Sequence, residues 1–384
     1  MFAPRLIILQ PTAYCNIDCS YCYLRSRDDR RLMSPAVVDA VCEKIMRRID
    51  PSANPALVWH AGEPTTAPIE WYDDAYQRLQ PSCPASLNFS MQSNGIAIDG
   101  RWIDLFRRTN TSVSISLDGP ERFHDARRLT RNGKPTWRLA LRGLKRLQDA
   151  GFSPPVITLL HPDGLNCAEE YFQFYRDNGI TDVGFNIDEL EGFNATSSFG
   201  FEFKSGISSF ITEIMRIAFN DGFPLRIKEV ERIAHVLAGT ASYANEQVEP
   251  WASIVIAADG SVSTYSPEFM EVSAPNYNNF IFGNLLAGEL DHFADGETFR
   301  RASREIAAGI DACKSQCRYF AVCGGGAPVN KYCELGSLSS TETNYCRLSV
   351  QASADALLSF LSDKARRPDP AAIAGSSADW LSRA

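Results

Sequence analysis

The sequence lacks any apolar run close to the roughly 20 residues needed to cross a bilayer, so no membrane partner is expected. It also lacks an excess of cations: Lys and Arg number 38 against 46 Asp and Glu, a net charge of −8. Binding phosphates needs a cationic surface, so nucleic acid is not expected as the main partner. The first ten residues carry one Arg and the short run Leu6–Leu9, without a charged leader or a small-residue cleavage site. They read as a strand and not as a secretion signal. Internal repeats and low-complexity tracts are absent. Hydrophobic residues make up 45% and charged residues 22%, which excludes a disordered chain. The 384 residues suffice for two domains, or for one large barrel with an appendage.

Cysteine, by contrast, is abundant. There are 11, an odd number that disfavours a pure disulfide framework. Cys15, Cys19 and Cys22 crowd near the N-terminus, and Cys313, Cys317, Cys323, Cys333 and Cys346 crowd near the C-terminus. Only Cys42, Cys83 and Cys167 are scattered, and they read as ordinary core or surface cysteines. Two dense clusters point to two metal sites in a reducing, cytoplasmic setting.

Up to about residue 225, short apolar runs alternate with amphipathic stretches. The runs are 6–9, 56–60, 87–92, 112–117, 156–160 and 183–187. The helical patterns are 35–49, 69–79, 100–108, 136–150, 167–178 and 205–219. Such alternation predicts a parallel βα architecture. Six units are too few to close an eight-stranded barrel, so the expected fold is α/β: a partial (β/α)6 barrel, open on one side, over 1–225. A linking region follows at 226–253, with a helix at 228–237. Residues 254–257 and 261–264 flank Asp259-Gly260 and read as a hairpin. A cysteine-rich domain is expected over 254–350, with a helical stretch near 299–309. The segment 351–384 is expected to hold a helix at 355–361 and then a loose tail that Trp380 and Leu381 could dock. In parallel βα folds the chemistry sits at the carboxyl ends of the strands.

The first cluster reads Cys15-Asn-Ile-Asp-Cys19-Ser-Tyr-Cys22, directly after the first strand. Thiolates suit iron–sulfur clusters or zinc. Three can hold three corners of a cubane and leave the fourth iron open. The zinc alternative requires a fourth ligand, and the nearest histidine, His60, ends another strand. The spacing, with an aromatic before the third cysteine, resembles the signature of the radical S-adenosylmethionine (SAM) enzymes. That resemblance implies a [4Fe–4S] cluster whose open iron is chelated by SAM. Reductive cleavage of SAM then gives a 5′-deoxyadenosyl radical that abstracts hydrogen from substrate.

Further motifs fit the same resemblance. His60-Ala-Gly62-Glu63-Pro64 is similar to the family's Gly-Gly-Glu motif, with Ala61 in the first glycine's place. Gly62 and Glu63 are its implied contacts to the SAM ammonium, and a small residue lets main chain approach the ligand. Gln92-Ser-Asn94-Gly95 ends the third strand. Ser114-Ile-Ser116-Leu-Asp118-Gly119 ends the fourth and is placed to meet ribose. His124-Asp-Ala-Arg-Arg128 follows, and the resemblance makes Arg128 the partner of the SAM carboxylate. Taken singly, each has a plain reading as a helix cap, a turn or a solvated face.

The second cluster reads Cys313-x3-Cys317-x5-Cys323-Gly-Gly-Gly, then Cys333, then Tyr345-Cys346. It resembles the SPASM domain, an extension that binds auxiliary iron–sulfur clusters in peptide-modifying radical SAM enzymes. The full pattern has seven cysteines. Here Thr264-Tyr-Ser266-Pro-Glu268 stands where one is expected, and Gly324-Gly-Gly-Ala327 where another is. Cys313, Cys317, Cys323 and Cys346 remain in register, which implies one fully ligated auxiliary [4Fe–4S] cluster. Cys333 is then a spare thiol or a replacement for one of the four, and zinc is the competing metal.

Closer likeness lies in Leu9-Gln10-Pro11-Thr12, Phe282-Gly283-Asn284, Cys323-Gly-Gly-Gly-Ala-Pro-Val-Asn330-Lys331 and Ser340-Thr341-Glu342-Thr343-Asn344-Tyr345-Cys346. These resemble the cyclophane-forming radical SAM/SPASM maturases of ribosomally synthesised peptides. The implied reaction joins an aromatic ring carbon to the Cβ of a nearby residue in a precursor peptide. Rearomatisation releases one electron, for which the auxiliary cluster is the implied acceptor, and one proton. Glu268 is the candidate catalytic base, with a turn or surface carboxylate as its plain reading. An external electron donor is a further implied partner. With the barrel starting near Met1, the leader is expected to bind the linking and C-terminal region, or a partner protein, by strand addition to a sheet edge. Formylglycine formation on proteins, and thioether or epimerase chemistry on peptides, are the rival activities. A zinc-stabilised binding module is the rival without catalysis.

Overall fold

The computed structural model describes residues 3–50, 52–240 and 245–366. Twelve strands are present among them: β1 (Leu6–Leu9), β2 (Ile17–Cys19), β3 (Ala56–Trp59), β4 (Asn88–Ser93), β5 (Thr111–Ser116), β6 (Arg128–Thr130), β7 (Val156–Leu160), β8 (Asp182–Ile187), β9 (Arg226–Ile227), β10 (Ser253–Ile256), β11 (Ser261–Thr264) and β12 (Gly283–Asn284). Ten form one sheet in the order β12-β11-β10-β1-β3-β4-β5-β7-β8-β9. From β10 through β1 to β9, every neighbouring pair is parallel. The six expected strands are all there, within a residue of their expected bounds, and they follow one another across the sheet in chain order. This is the partial (β/α)6 barrel.

Helices return the chain between these strands, and local chemistry sets their ends. Ser34 accepts from the Val37 amide, and Pro35 takes the first position of the helix Pro35–Lys44, where its missing N–H costs nothing. Asp99 accepts from the amides of Arg101 and Trp102 and starts the helix Gly100–Thr109, which stops on Asn110 at φ +51°. The expected helix 35–49 is shorter than its pattern. It ends at Lys44 and passes into a tighter turn, Met46–Arg48. Between strands and helices lies a dense aromatic core. Trp59 is fully buried, donates to Tyr76 Oη at 2.8 Å, and meets Tyr72 edge-on at 5.3 Å.

The expected hairpin is β10–β11, and it is part of the same sheet. β10 lies parallel beside β1, with Leu6 opposite Ser253 and Leu9 opposite Ile256. Beneath it a second core gathers Tyr265, Phe269, Phe280, Phe299, Ile306, Val329 and Leu338. The helix expected near 299–309 is much longer, Glu297–Gln316, and carries Cys313 in its last turn. The helix expected at 355–361 spans Ala352–Arg366. The tail with Trp380 and Leu381 lies outside the described residues. One element had no periodicity to betray it: β2 pairs with β6 in a separate antiparallel ribbon, Cys19 opposite Arg128. Among the described residues no helix is long and apolar enough to cross a membrane.

The helix Trp137–Asp149 presses on the end of β4 through two glycines. A Cβ on Gly143 would sit 1.9 Å from the Gly95 carbonyl oxygen, with main chain on both sides of the contact. Gly143→Ala should therefore lower stability by about 1–3 kcal/mol, the usual cost of overpacking, despite alanine's better helix propensity. Urea unfolding would measure it.

Candidate functional site

The loops at the carboxyl ends of the parallel strands enclose one cavity of about 410 Å³. Cys15, Cys19 and Cys22 line it, and so do Gly62, Glu63, Gln92, Asn94, Ser116, Asp118 and Arg128. Every candidate contact for SAM thus shares one space with the three candidate cluster ligands.

The cysteine loop is held by main chain from several directions. Cys15 N donates to Arg27 O at 3.1 Å and Ser20 N to Arg127 O at 3.0 Å. Asn94 Nδ2 donates to Asn16 Oδ1 at 2.7 Å, tying the β4 loop to it. Burial pushes the Cys15 thiol up to about 12 and the Cys19 thiol up to about 11. Bare, these thiols keep their protons; a bound metal is what makes them thiolates.

The segment after β3 leans directly on that loop. Glu63 N donates to Tyr14 O at 2.8 Å. Gly62 has φ +53°, and a Cβ on it would lie 2.4 Å from the same carbonyl oxygen. Ala61, in the family's first glycine position, is also left-handed at φ +69°, a conformation that strains an L-residue. The Glu63 carboxylate is buried and accepts from Thr65 N at 3.0 Å, Ser93 Oγ at 2.8 Å and Asn94 N at 2.6 Å. Across the cavity, Arg128 Nη1 donates to Tyr21 Oη at 2.7 Å, and Tyr21 donates to Asp118 Oδ2 at 2.6 Å. Asp118 Oδ1 accepts from Leu159 N at 3.1 Å and lies 3.6 Å from Arg128. Asp118 therefore lines the cavity but also anchors Arg128 and Tyr21. Gln92 Nε2 donates to Ser116 Oγ at 2.8 Å.

The residues fit the implied cofactors. Arg128 Nε and His60 Nδ1 are buried polar atoms without a partner, both on residues that line the cavity. Burial holds His60 down to about 4, so it is neutral. The missing Cβ at Gly62 lets this segment press on the Ala13 and Tyr14 carbonyls of the cysteine loop, which brings its main chain to the cavity wall. Among the described residues no group of three or more His, Cys, Asp or Glu is arranged to hold a single metal ion. A lone zinc needs its sulfurs about 2.3 Å from one point. Thiols spread around a cavity suit a cluster, which takes one thiolate per iron.

Glu268 lines the same cavity, in company that the sequence reading did not foresee. Glu189 and Glu191, just beyond β8, line it with Glu268. Asn330 Nδ2 donates to Glu189 Oε2 at 2.7 Å, and Ser266 Oγ hydrogen-bonds Glu268 Oε2. Burial pushes Glu189 up to about 8 and also raises Glu191 and Glu268; mutual repulsion adds to the first two. The Tyr23 hydroxyl, near Glu268 and Glu191, is buried without a partner. The signal for the added pair was present: Asp188-Glu189-Leu190-Glu191 leaves the carboxyl end of the last long strand.

A second cavity, of about 390 Å³, is lined by Cys313, Cys317, Cys323 and Cys346. Gly324, Gly325 and Gly326 follow Cys323 at φ +67°, +111° and +79°, a run only glycine adopts without strain. The Cys346 thiol donates to the Cys323 sulfur, as do the amides of Gly325 and Gly326, and these hold Cys323 down to about 6. Cys333 is not among the lining residues. Its sulfur accepts from the Gly192 amide and faces Glu334, Glu268 and Glu189.

Residues 9–174 match the radical SAM superfamily. An uncharacterized protein of Synechocystis sp. is 34% identical over 379 residues, 94% of this chain and 93% of that one. A serine-type anaerobic sulfatase-maturating enzyme of Bacteroides thetaiotaomicron is 25% identical over 181 residues, 45% of this chain and 44% of that one. Among solved structures, native anSMEcpe with bound AdoMet and Cp18Cys peptide superposes with a TM-score of 0.75 at 16% identity, covering 94% of this chain and 97% of that one. Streptococcus suis SuiB bound to its precursor peptide SuiA gives 0.64 at 14% identity, covering 90% and 76%. Both share the fold.

Gly62→Ala must displace either the glutamate segment or the cysteine loop. The variant should bind SAM at least about tenfold more weakly, a change of about 1.4 kcal/mol, by equilibrium dialysis after anaerobic reconstitution. Unchanged affinity would show that the Gly62 main chain does not approach the ligand.

Proposed function

This chain belongs to the radical SAM superfamily, and we propose that it is a peptide maturase that joins an aromatic ring carbon to the Cβ of a nearby residue in a ribosomally made precursor. When bound, SAM and the two clusters supply a hydrogen-abstracting radical and an acceptor for the one electron that rearomatisation releases. The chain's own residues do the rest. Cys15, Cys19 and Cys22 would hold the first cluster, and Cys313, Cys317, Cys323 and Cys346 the second. Gly62, Glu63 and Arg128 orient SAM, with Gln92, Asn94, Ser116 and Asp118 around it.

The observation that carries the proposal is the trio of half-buried carboxylates lining the cavity that also holds the cysteine triad. Forming the ring–Cβ bond leaves a proton on the attacked ring carbon. Removing it needs a base close to the substrate and shielded from water. A carboxylate raised by burial is a stronger base than one in solution, and it is matched to a proton of that kind. Glu268 is the proposed acceptor, its basicity raised by desolvation. A peptide substrate is supported by the peptide-bound solved structures, which share this fold.

A second reading, oxidation of a Ser or Cys to formylglycine, is favoured by the likeness to the sulfatase-maturating enzyme. Co-expression with small open reading frames beside the gene, followed by mass spectrometry, separates the two. A crosslink removes two hydrogen atoms per bond and blocks fragmentation between the joined residues. Formylglycine gives an aldehyde that a hydrazide captures.

Glu268→Gln should lower crosslinked product by about 10²-fold or more, within the range for a lost general base, while 5′-deoxyadenosine release continues. Product yield equal to that of the unsubstituted enzyme would remove Glu268 from the role.

A further inference from the structure

We propose that Lys331 supplies the positive charge that compensates the auxiliary cluster and sets its reduction potential. The inference rests on the reading of Cys313, Cys317, Cys323 and Cys346 as ligands of one cluster. Lys331 is 2% exposed, and its Nζ lies 3.7 Å from Cys313 Sγ. No Asp or Glu among the described residues pairs with it. An isolated ammonium in the interior is costly and requires a counter-charge nearby. Four thiolates around a cubane carry a net negative charge, and Lys331 reaches one of those sulfurs.

The surrounding chain is shaped to admit this side chain. Gly309 sits one turn before Cys313 in the helix Glu297–Gln316, and a Cβ there would lie 3.1 Å from Lys331 Nζ. A Cβ on Gly326 would lie 3.6 Å from Lys331 Cε. A glycine in a helix interior costs about 1 kcal/mol relative to alanine. At position 309 it leaves room for the Leu338 carbonyl, 2.8 Å from where a Cβ would stand, and for the Lys331 ammonium beside it. The aliphatic stem is buried with the rest of the residue, and the ammonium ends beside Cys313 Sγ.

Charge and hydrogen bonding around the sulfurs are the protein's means of setting a cluster's potential. A buried cation stabilises the reduced, more negative state and raises the potential. The amides of Gly325 and Gly326 on Cys323 act in the same direction. A raised potential is what a cluster needs if it is to accept the electron released on rearomatisation.

The test uses the full chain carrying Cys15→Ala, Cys19→Ala and Cys22→Ala, reconstituted without oxygen, so that only the C-terminal cysteines can hold iron. Iron and sulfide analysis should give about four irons per chain. No iron in this protein overturns the cluster reading itself, and with it this inference. With iron present, EPR-monitored redox titration reads the potential. Lys331→Met keeps the volume and removes the charge. At the potential where the lysine protein is half reduced, its ratio of reduced to oxidised cluster should fall about tenfold, equivalent to about 59 mV for one electron. Lys331→Gln should behave alike, and Lys331→Arg should restore the potential. An intact cluster with unmoved potential in both neutral variants overturns the inference. Should the neutral variants lose iron while Lys331→Arg keeps it, the charge is needed to hold the cluster at all, which supports the inference. Loss of iron from all three variants assigns Lys331 a packing role and overturns it.

Discussion

Strand β1 is hydrogen-bonded on both edges, to β3 on one side and β10 on the other, each in parallel register over four residues. A four-residue strand buried between two neighbours has no other way to satisfy its main chain. This one arrangement governs the rest. It fixes the cysteine loop that follows Leu9 against the Gly62–Glu63 segment that follows β3. It also draws the β10–β11 hairpin, and Glu268 beyond it, to the rim where SAM is proposed to bind. The C-terminal half is thus joined to the barrel through the very strand that presents the cysteine triad.

Charge is distributed around the cavity by function. On one side, Arg128 is buried against Tyr21 and Asp118. On the other, Glu189, Glu191 and Glu268 share the wall, all three raised by desolvation and the first two also by repulsion. Between these poles lie the three thiols. A site of this kind is stable only because each charge is partly met by hydrogen bonds or by the ligands it awaits. The second cavity follows the same logic with the signs changed. Beside it the buried ammonium of Lys331 lies 3.7 Å from one of the four sulfurs, Cys313 Sγ.

The departures from the seven-cysteine pattern have structural counterparts. Where one cysteine is missing, the chain places Glu268 on the cavity wall, with Ser266 hydrogen-bonded behind it. Where another is missing, three glycines in left-handed conformations follow Cys323, and the amides of Gly325 and Gly326 turn to its sulfur. Cys333 stands apart from the four cysteines and faces the carboxylates of the first cavity.

Much of the fold was legible in the chain itself. Parallel strands buried between helices must be apolar, and the returning helices must be amphipathic, so periodicity alone located all six barrel units. Crowding in the sequence likewise marked both cysteine clusters, while Gly62 was marked by resemblance to a family motif. The β2–β6 ribbon was not legible: three-residue strands carry no period, and their pairing joins segments over 100 residues apart. Nor was the meeting of Glu268 with Glu189 and Glu191, or of Lys331 with Cys313. Each of those groups is ordinary in its own segment. Only the folding of distant segments onto one another removes them from water and sets their charges face to face.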